Sequence, residues 1–191
     1  MWQTITDCGD LAVLLPISMA ILIWLLLRSG RSAALWFACA LAICIGATAG
    51  LKVLFAVCPP DASLQSPSGH TSLSTLVYGG LAAIAAVHGR DWWRNAAAAA
   101  GLLVVVAIAA TRVILNAHTF TETVLGLAIG AAALAIFVCP YWRLGRAELS
   151  LRPLLVTVVL LVVSLHGSQL RAEDFLEAIG VQLEADGVSC R

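Results

Sequence analysis

Six apolar stretches, near residues 11–27, 33–51, 72–87, 95–111, 123–139 and 153–165, leave this chain few folds to choose from. A helix needs about 20 apolar residues, within a range of roughly 17–25, to cross the hydrocarbon core of a bilayer. The first, second, fourth and fifth stretches have that length, and the third reaches it when lengthened slightly. The sixth is short, and Arg152, Ser164 and His166 flank or interrupt it; the alternative for it is a core or re-entrant helix. With 61% of 191 residues apolar and 12% charged, the chain is too hydrophobic for a soluble domain. Runs such as Ala96–Ala110 are unbroken, whereas a strand of a membrane barrel alternates apolar and polar residues. The expected fold is all-α: a single polytopic membrane bundle over 1–191 with about six transmembrane helices. Small residues in the spans (Gly46, Ala47, Ala49, Gly50, Gly79, Gly80, Gly126 and Gly130) are expected to let helices approach closely.

Charges at the ends of the stretches give the bundle a direction. Seven of the eleven Lys and Arg residues (Arg28, Arg31, Arg90, Arg94, Arg143, Arg146 and Arg152) follow the first, third and fifth stretches. Those loops should be cytoplasmic, because basic residues are retained on that side. Both termini then face the exterior. The first ten residues carry Asp7 and Asp10 and no basic residue. The first stretch therefore lacks the basic leader of a cleaved signal peptide and is expected to stay as a helix. Trp92-Trp93 and Tyr141-Trp142 have the position of interfacial anchors on the cytoplasmic side.

The second and fourth stretches end on the side from which the third and fifth begin. Lys52, His70, Arg112, His118 and Glu122 are thereby expected at one membrane face, the outer one by the loop charges. Ionisable groups there are costly, and a functional role is the default reading for them. Singly, each has a plainer explanation. Lys52 and Arg112 could snorkel from helix ends. His118 and Glu122, four residues apart on one helical face, could share a structural hydrogen bond. Ser68 and Gly69 could form an ordinary helix cap. Their convergence makes a chemical inventory instead. Glu122 can hold one imidazole nitrogen of His118 and leave the other as a nucleophile. Ser68 and Gly69 precede a helix, whose first amides and positive dipole end favour an anion. With two basic residues and a second histidine, this set suits a phosphate ester.

Three ordered motifs carry a family resemblance. Lys52-x6-Pro59-Pro60, Pro67-Ser68-Gly69-His70 and Thr111-Arg112-x5-His118-x3-Glu122 lie within roughly residues 50–125. They resemble the Lys-x6-Arg-Pro, Pro-Ser-Gly-His and Ser-Arg-x5-His-x3-Asp motifs of the type 2 phosphatidic acid phosphatase (PAP2) superfamily, in its membrane lipid phosphatase branch. The resemblance implies a lipid phosphatase that needs no metal and no cofactor. His118 would attack phosphorus to form a phosphohistidine, with Glu122 orienting it. His70 would protonate the leaving oxygen and later activate water. Lys52, Arg112, Ser68 and amides near Gly69 would bind the phosphoryl oxygens. Two histidines and a carboxylate could also suit zinc, but the two basic residues nearby oppose a cation.

The substrate classes that follow from the resemblance are undecaprenyl diphosphate, taken first, then phosphatidylglycerophosphate, phosphatidate and a lipid A phosphate. A small outward-facing enzyme of this kind is expected in a bacterial inner membrane. The alternatives are a lipid phosphotransferase and a non-catalytic lipid-phosphate binder or transporter; a haloperoxidase does not fit the hydrophobic spans. The partners implied are the bilayer and a lipid phosphate. A formal net charge of zero and the lack of a basic domain argue against nucleic acid. Oligomeric state has no signal in the sequence.

Three positions depart from the family pattern. Thr111 for Ser is mild. Glu122 for Asp adds one methylene, so the imidazole must shift or the helix face must adapt. Pro59 for Arg removes a bidentate phosphate ligand and keeps the non-catalytic alternative open; Arg171 in the tail is a candidate substitute. Cys39 and Cys44 are expected to pack as small apolar residues, with Cys139 near the cytoplasm. Cys8, Cys58 and Cys190 map to the outer side, where one bridge among them can persist. From Ser168 onward, Leu170, Phe175, Leu176, Ile179 and Leu183 recur at near-helical spacing with acids between. That predicts a short amphipathic helix over 168–191, covering the mouth of the site.

Overall fold

The computed structural model describes residues 2–58, 66–88, 91–144, 149–168 and 170, with side chains from Arg94 onward in the third of these segments. These residues form helices α1 (Trp2–Asp7), α2 (Leu11–Arg28), α3 (Arg31–Val57), α4 (Gly69–His88), α5 (Asp91–Ile114), α6 (Phe120–Arg143) and α7 (Arg152–Leu165), with no strand among them. The all-α bundle is as expected. Five segments are long and apolar enough to cross a membrane: Trp2–Arg28, Arg31–Val57, Gly69–His88, Arg94–Ile114 and Phe120–Arg143. The sixth apolar stretch forms α7, whose 14 residues span only about 21 Å against a hydrocarbon core of about 30 Å. It packs on α2.

Local chemistry sets the helix ends that matter for the site. α2 starts at Leu11 because Asp10 is an extended N-cap whose Oδ1 accepts the Ala12 amide at 2.8 Å. α5 ends at Ile114 and reverses through Asn116, a left-handed residue at φ 52°. The Arg112 carbonyl accepts there from the amides of Ala117 and His118 at 3.0 and 3.1 Å. α6 opens with a capping box: Thr119 Oγ1 accepts the Glu122 amide at 3.3 Å, and Glu122 Oε2 accepts the Thr119 amide at 2.9 Å.

α4 is the central helix, with half of its spanning window buried. It packs most closely against α5 and α6. Its hydroxyls turn inward and are satisfied there. Thr75 donates to the Thr71 carbonyl at 2.7 Å, and Ser72 pairs with Thr48 of α3 at 2.9 Å. Towards the other end an apolar core of Leu14, Ile17, Ile21 and Leu25 closes beside Phe37 and Phe137, whose rings meet edge to face at 5.2 Å.

Glycines make this packing possible, though not all those expected to. A Cβ at Gly126 would lie 2.6 Å from the Ser68 carbonyl, and one at Gly130 would run into the Ser72 carbonyl and Thr75. α6 thus lies directly on the α4 backbone. Gly79 instead makes room for the Leu134 side chain. No described residue lies within 4 Å of a Cβ at Gly46 or Gly50, so they do not bring described helices together.

Two further expectations are corrected. Tyr141 is no interfacial anchor: it is 3% exposed, and its hydroxyl bonds His88 Nε2 at 2.8 Å and Ser29 at 3.4 Å. Its neighbour Trp142 is exposed; the Trp92 and Trp93 side chains lie outside the described residues. Cys44 is buried as expected, but Cys39 is exposed on the bundle surface. Cys58 is disulfide-bonded while Cys8 is a free thiol, which excludes both pairings through Cys8. Pro59, Arg171, Cys190 and nearly all of the predicted helix over 168–191 lie outside the described residues.

Candidate active site

The end of α3, the start of α4, the end of α5 and the start of α6 meet at one end of the bundle. Glu122 ties three of these pieces together. Its Oε2 lies 3.1 Å from His118 Nδ1 and its Oε1 accepts the Ser66 amide at 2.8 Å. Its carbonyl accepts the Ser68 amide at 3.2 Å. The same Oε2 closes the capping box with Thr119. One buried carboxylate therefore starts α6, anchors the approach to α4 and holds an imidazole.

This corrects the geometry expected for the histidine. His118 is not in the helix with Glu122. It stands in the turn just ahead of the Thr119 cap, and the carboxylate reaches back to it. Glu122, with one methylene more than Asp, makes the cap to Thr119 and the contact to His118 from the same oxygen.

Ser68 is fully buried, and its Oγ accepts from Thr71 Oγ1 at 2.9 Å. It braces the turn from below. The amides of Gly69 and His70 fall in the first turn of α4, where a helix has no acceptors of its own. A Cβ on Gly69 would lie 3.9 Å from Lys52 Cε, so the lysine stem runs beside that turn. Arg112 is buried at the end of α5 and donates from one guanidinium nitrogen to Thr6 Oγ1 at 3.2 Å.

The His70 ring, 12% exposed, places Nε2 at 3.5 Å from Asp10 Oδ2. Thr6 and Asp10, which the sequence motifs do not single out, thus meet Arg112 and His70. A usable signal exists for the second: an aspartate immediately before the first apolar run is a helix-start signature. Between α4, α5 and α6, an apolar groove of about 470 Å³ runs from Thr75, Val105 and Ala131 to Cys139 and Trp142. Thr75 is about one and a half turns of α4 below His70.

The chain matches the PAP2 superfamily over residues 51–146, an interval that contains Lys52, Ser68, Gly69, His70, Arg112, His118 and Glu122 and leaves out Thr6 and Asp10. It is 29% identical over 144 residues to a Klebsiella pneumoniae protein described as an uncharacterized 22.5 kDa protein in the cps region, covering 72% of this chain and 68% of that one. No solved structure matches.

Proposed function

Since the chain belongs to the PAP2 superfamily, we propose that it is an integral-membrane phosphatase that hydrolyses a lipid phosphate or diphosphate through a phosphohistidine at His118, without a metal ion. The observation that carries this reading is the grip of Glu122 on His118 Nδ1 at 3.1 Å. A carboxylate accepting from Nδ1 selects the tautomer whose lone pair lies on Nε2. That nitrogen attacks phosphorus. As the P–O bond breaks, the leaving lipid oxygen takes a proton from His70. Water then gives a proton to His70 while its oxygen bonds to phosphorus, and the P–N electrons return to His118. The lipid alcohol, or the shortened lipid phosphate from a diphosphate, leaves in the first step, and orthophosphate leaves in the second. Lys52, Arg112 and the first-turn amides of α4 offset the charge on the phosphoryl oxygens.

We place the site at the outer face of a bacterial inner membrane, on the loop charges. Undecaprenyl diphosphate heads the substrate classes, followed by phosphatidylglycerophosphate, phosphatidate and a lipid A phosphate. The test is free-phosphate release by the detergent-purified protein over a panel of these lipids with EDTA present. Release supports the reading. Loss of lipid phosphate only when an acceptor lipid is added, with no free phosphate, would transfer the assignment to a phosphotransferase. Binding without turnover would assign a lipid-phosphate binder or transporter.

Gly69 gives a sharper check. Among the described residues a methyl there meets atoms at 3.8 and 3.9 Å, which is ordinary contact. The fold should accept Gly69→Ala with an unchanged melting temperature. A phosphoryl group resting on these amides would be crowded, so kcat/KM is expected to fall about 10²-fold, as for loss of one oxyanion donor. Full activity would mean that the ligand does not approach this turn.

The apolar groove suits the hydrocarbon chain of the substrate. Ala131→Trp, which fills its end nearest the site, is expected to raise KM several-fold for long-chain lipid phosphates. A short-chain phosphate ester should be turned over as before. Equal effects on both would remove the groove from the substrate path.

A further inference from the structure

We infer that Asp10 is a positioning residue for His70, so that two carboxylate–imidazole pairs, Glu122–His118 and Asp10–His70, serve one phosphoryl group. This rests on the hydrolytic reading above. Asp10 lies far from the motifs in sequence and outside the interval that matches the family. The fold nevertheless brings its Oδ2 to 3.5 Å from His70 Nε2. Its other oxygen, Oδ1, is taken twice, by the amide of Ala12 at 2.8 Å and by that of Leu170 at 3.1 Å. Both donors are backbone, so the carboxylate is held in one orientation with Oδ2 turned to the imidazole. Capping α2 would require only Oδ1.

The surroundings point the same way. Asp10 is 6% exposed, and a buried carboxylate is costly unless it is paired. Gly9 packs against the ring: a Cβ there would lie 3.5 Å from His70 Cδ2 and 2.7 Å from Ile108 Cγ2. Thr6, in the preceding helix, meets Arg112. The segment from Thr6 to Asp10 thus touches two residues of the motif region. The remaining ring nitrogen, His70 Nδ1, is buried and has no hydrogen-bond partner among the described residues. A buried imidazole nitrogen without a partner is costly, and this one is left available to a ligand oxygen.

Asp10 therefore accepts Nε2–H and turns Nδ1 to the leaving oxygen. His70 enters the first step as the imidazolium; its Nδ1 proton passes to that oxygen as the P–O bond breaks with its electron pair on oxygen, which leaves the neutral Nε2–H ring. In the second step Nδ1 takes a proton from the attacking water. Asp10 itself neither gains nor loses a proton.

Asp10→Asn is the informative variant, because Asn is as good an N-cap as Asp and α2 should start unchanged. In the purified full-length protein, kcat for an alkyl lipid phosphate is expected to fall about 10²-fold with KM unchanged, the scale of a misaligned general acid. An aryl phosphate with an acidic phenol needs little help in leaving and should lose far less. Asp10→Glu should recover part of the loss. Equal losses on both leaving groups, or no loss, would overturn the inference. A second readout does not need turnover: the ¹⁵N shifts of His70 in labelled protein, assigned against His70→Gln. Parent protein should show Nε2–H, and Asp10→Asn should change that tautomer pattern. A protein inactive on every lipid phosphate whose His70 pattern still responds to Asp10→Asn would discard the hydrolytic reading and keep the pair. An unchanged pattern would discard the pair.

Discussion

His118→Ala is expected to lower phosphate release at least about 10⁴-fold, the scale seen when the nucleophile of a coupled catalytic set is removed. The fold should survive, because His118 sits ahead of α6 and does not start it. Thr119 and Glu122 do that through their capping box. Glu122 also keeps the Ser66 and Thr119 amides when the imidazole is gone. Parent protein quenched in mid-turnover should carry phosphate in an acid-labile, base-stable linkage, and His118→Ala should carry none. A variant that still releases phosphate at a tenth of the parent rate or more, about 1.4 kcal/mol of lost barrier stabilisation, would end the phosphohistidine mechanism. Glu122→Ala is a useful contrast. It removes the orienting carboxylate, the cap and the anchor for Ser66 together, so activity and melting temperature should fall together.

Gly130→Val should produce the largest structural failure. A Cβ at that position would enter the Ser72 carbonyl and approach Thr75 Cβ at 2.6 Å, and neither can move without displacing the α4 backbone. Overpacking usually costs about 1–3 kcal/mol, and a clash with backbone belongs at or above the top of that range. In a chain of this length that corresponds to a melting temperature lower by roughly 10 °C. Because Ser68 and Gly126 meet four residues nearer the site on the same pair of helices, splaying α6 from α4 should also separate Glu122 from the Ser66 and Ser68 amides. Activity should therefore be lost in the variant that still folds. Gly46→Val is the control: no described residue lies within 4 Å of a Cβ there, and the melting temperature should not change. A Gly130→Val protein that melts with the parent would show that α6 is free to shift along α4.

The common placement of the residues between Lys52 and Glu122 is legible in the amino-acid order, for a physical reason. Apolar stretches of spanning length must be helices, since hydrocarbon offers the backbone no other partners. Successive spans must alternate in direction. Helix ends separated by two crossings therefore return to the same face, and a spacing such as Arg112-x5-His118 can only be the turn between two spans. The left-handed Asn116 and the shared Arg112 carbonyl are how this chain makes it. The sixth span is less legible, because composition marks where a helix is apolar but not how many residues its ends add. Tyr141 misleads because aromatic residues at a membrane boundary and aromatic residues in a polar core cluster have the same sequence signature.

What the amino-acid order determined unaided was the class of fold, the common face of Lys52, His70, Arg112, His118 and Glu122, and the nearness of His118 to Glu122, though not the geometry of their contact. Each follows from local spacing plus the constraint of the bilayer. Tertiary structure decided what depends on contacts between distant segments. It placed His118 outside α6 and made Glu122 serve cap, anchor and imidazole at once. It buried Ser68 beneath the α4 turn and closed α6 onto α4 at Gly126 and Gly130 but not α3 at Gly46. It also delivered Thr6 to Arg112 and Asp10 to His70 across separations of 106 and 60 residues. No helical or loop periodicity encodes a contact of that range; only the packing of α1 and α2 against α5 and α4 brings those side chains within reach.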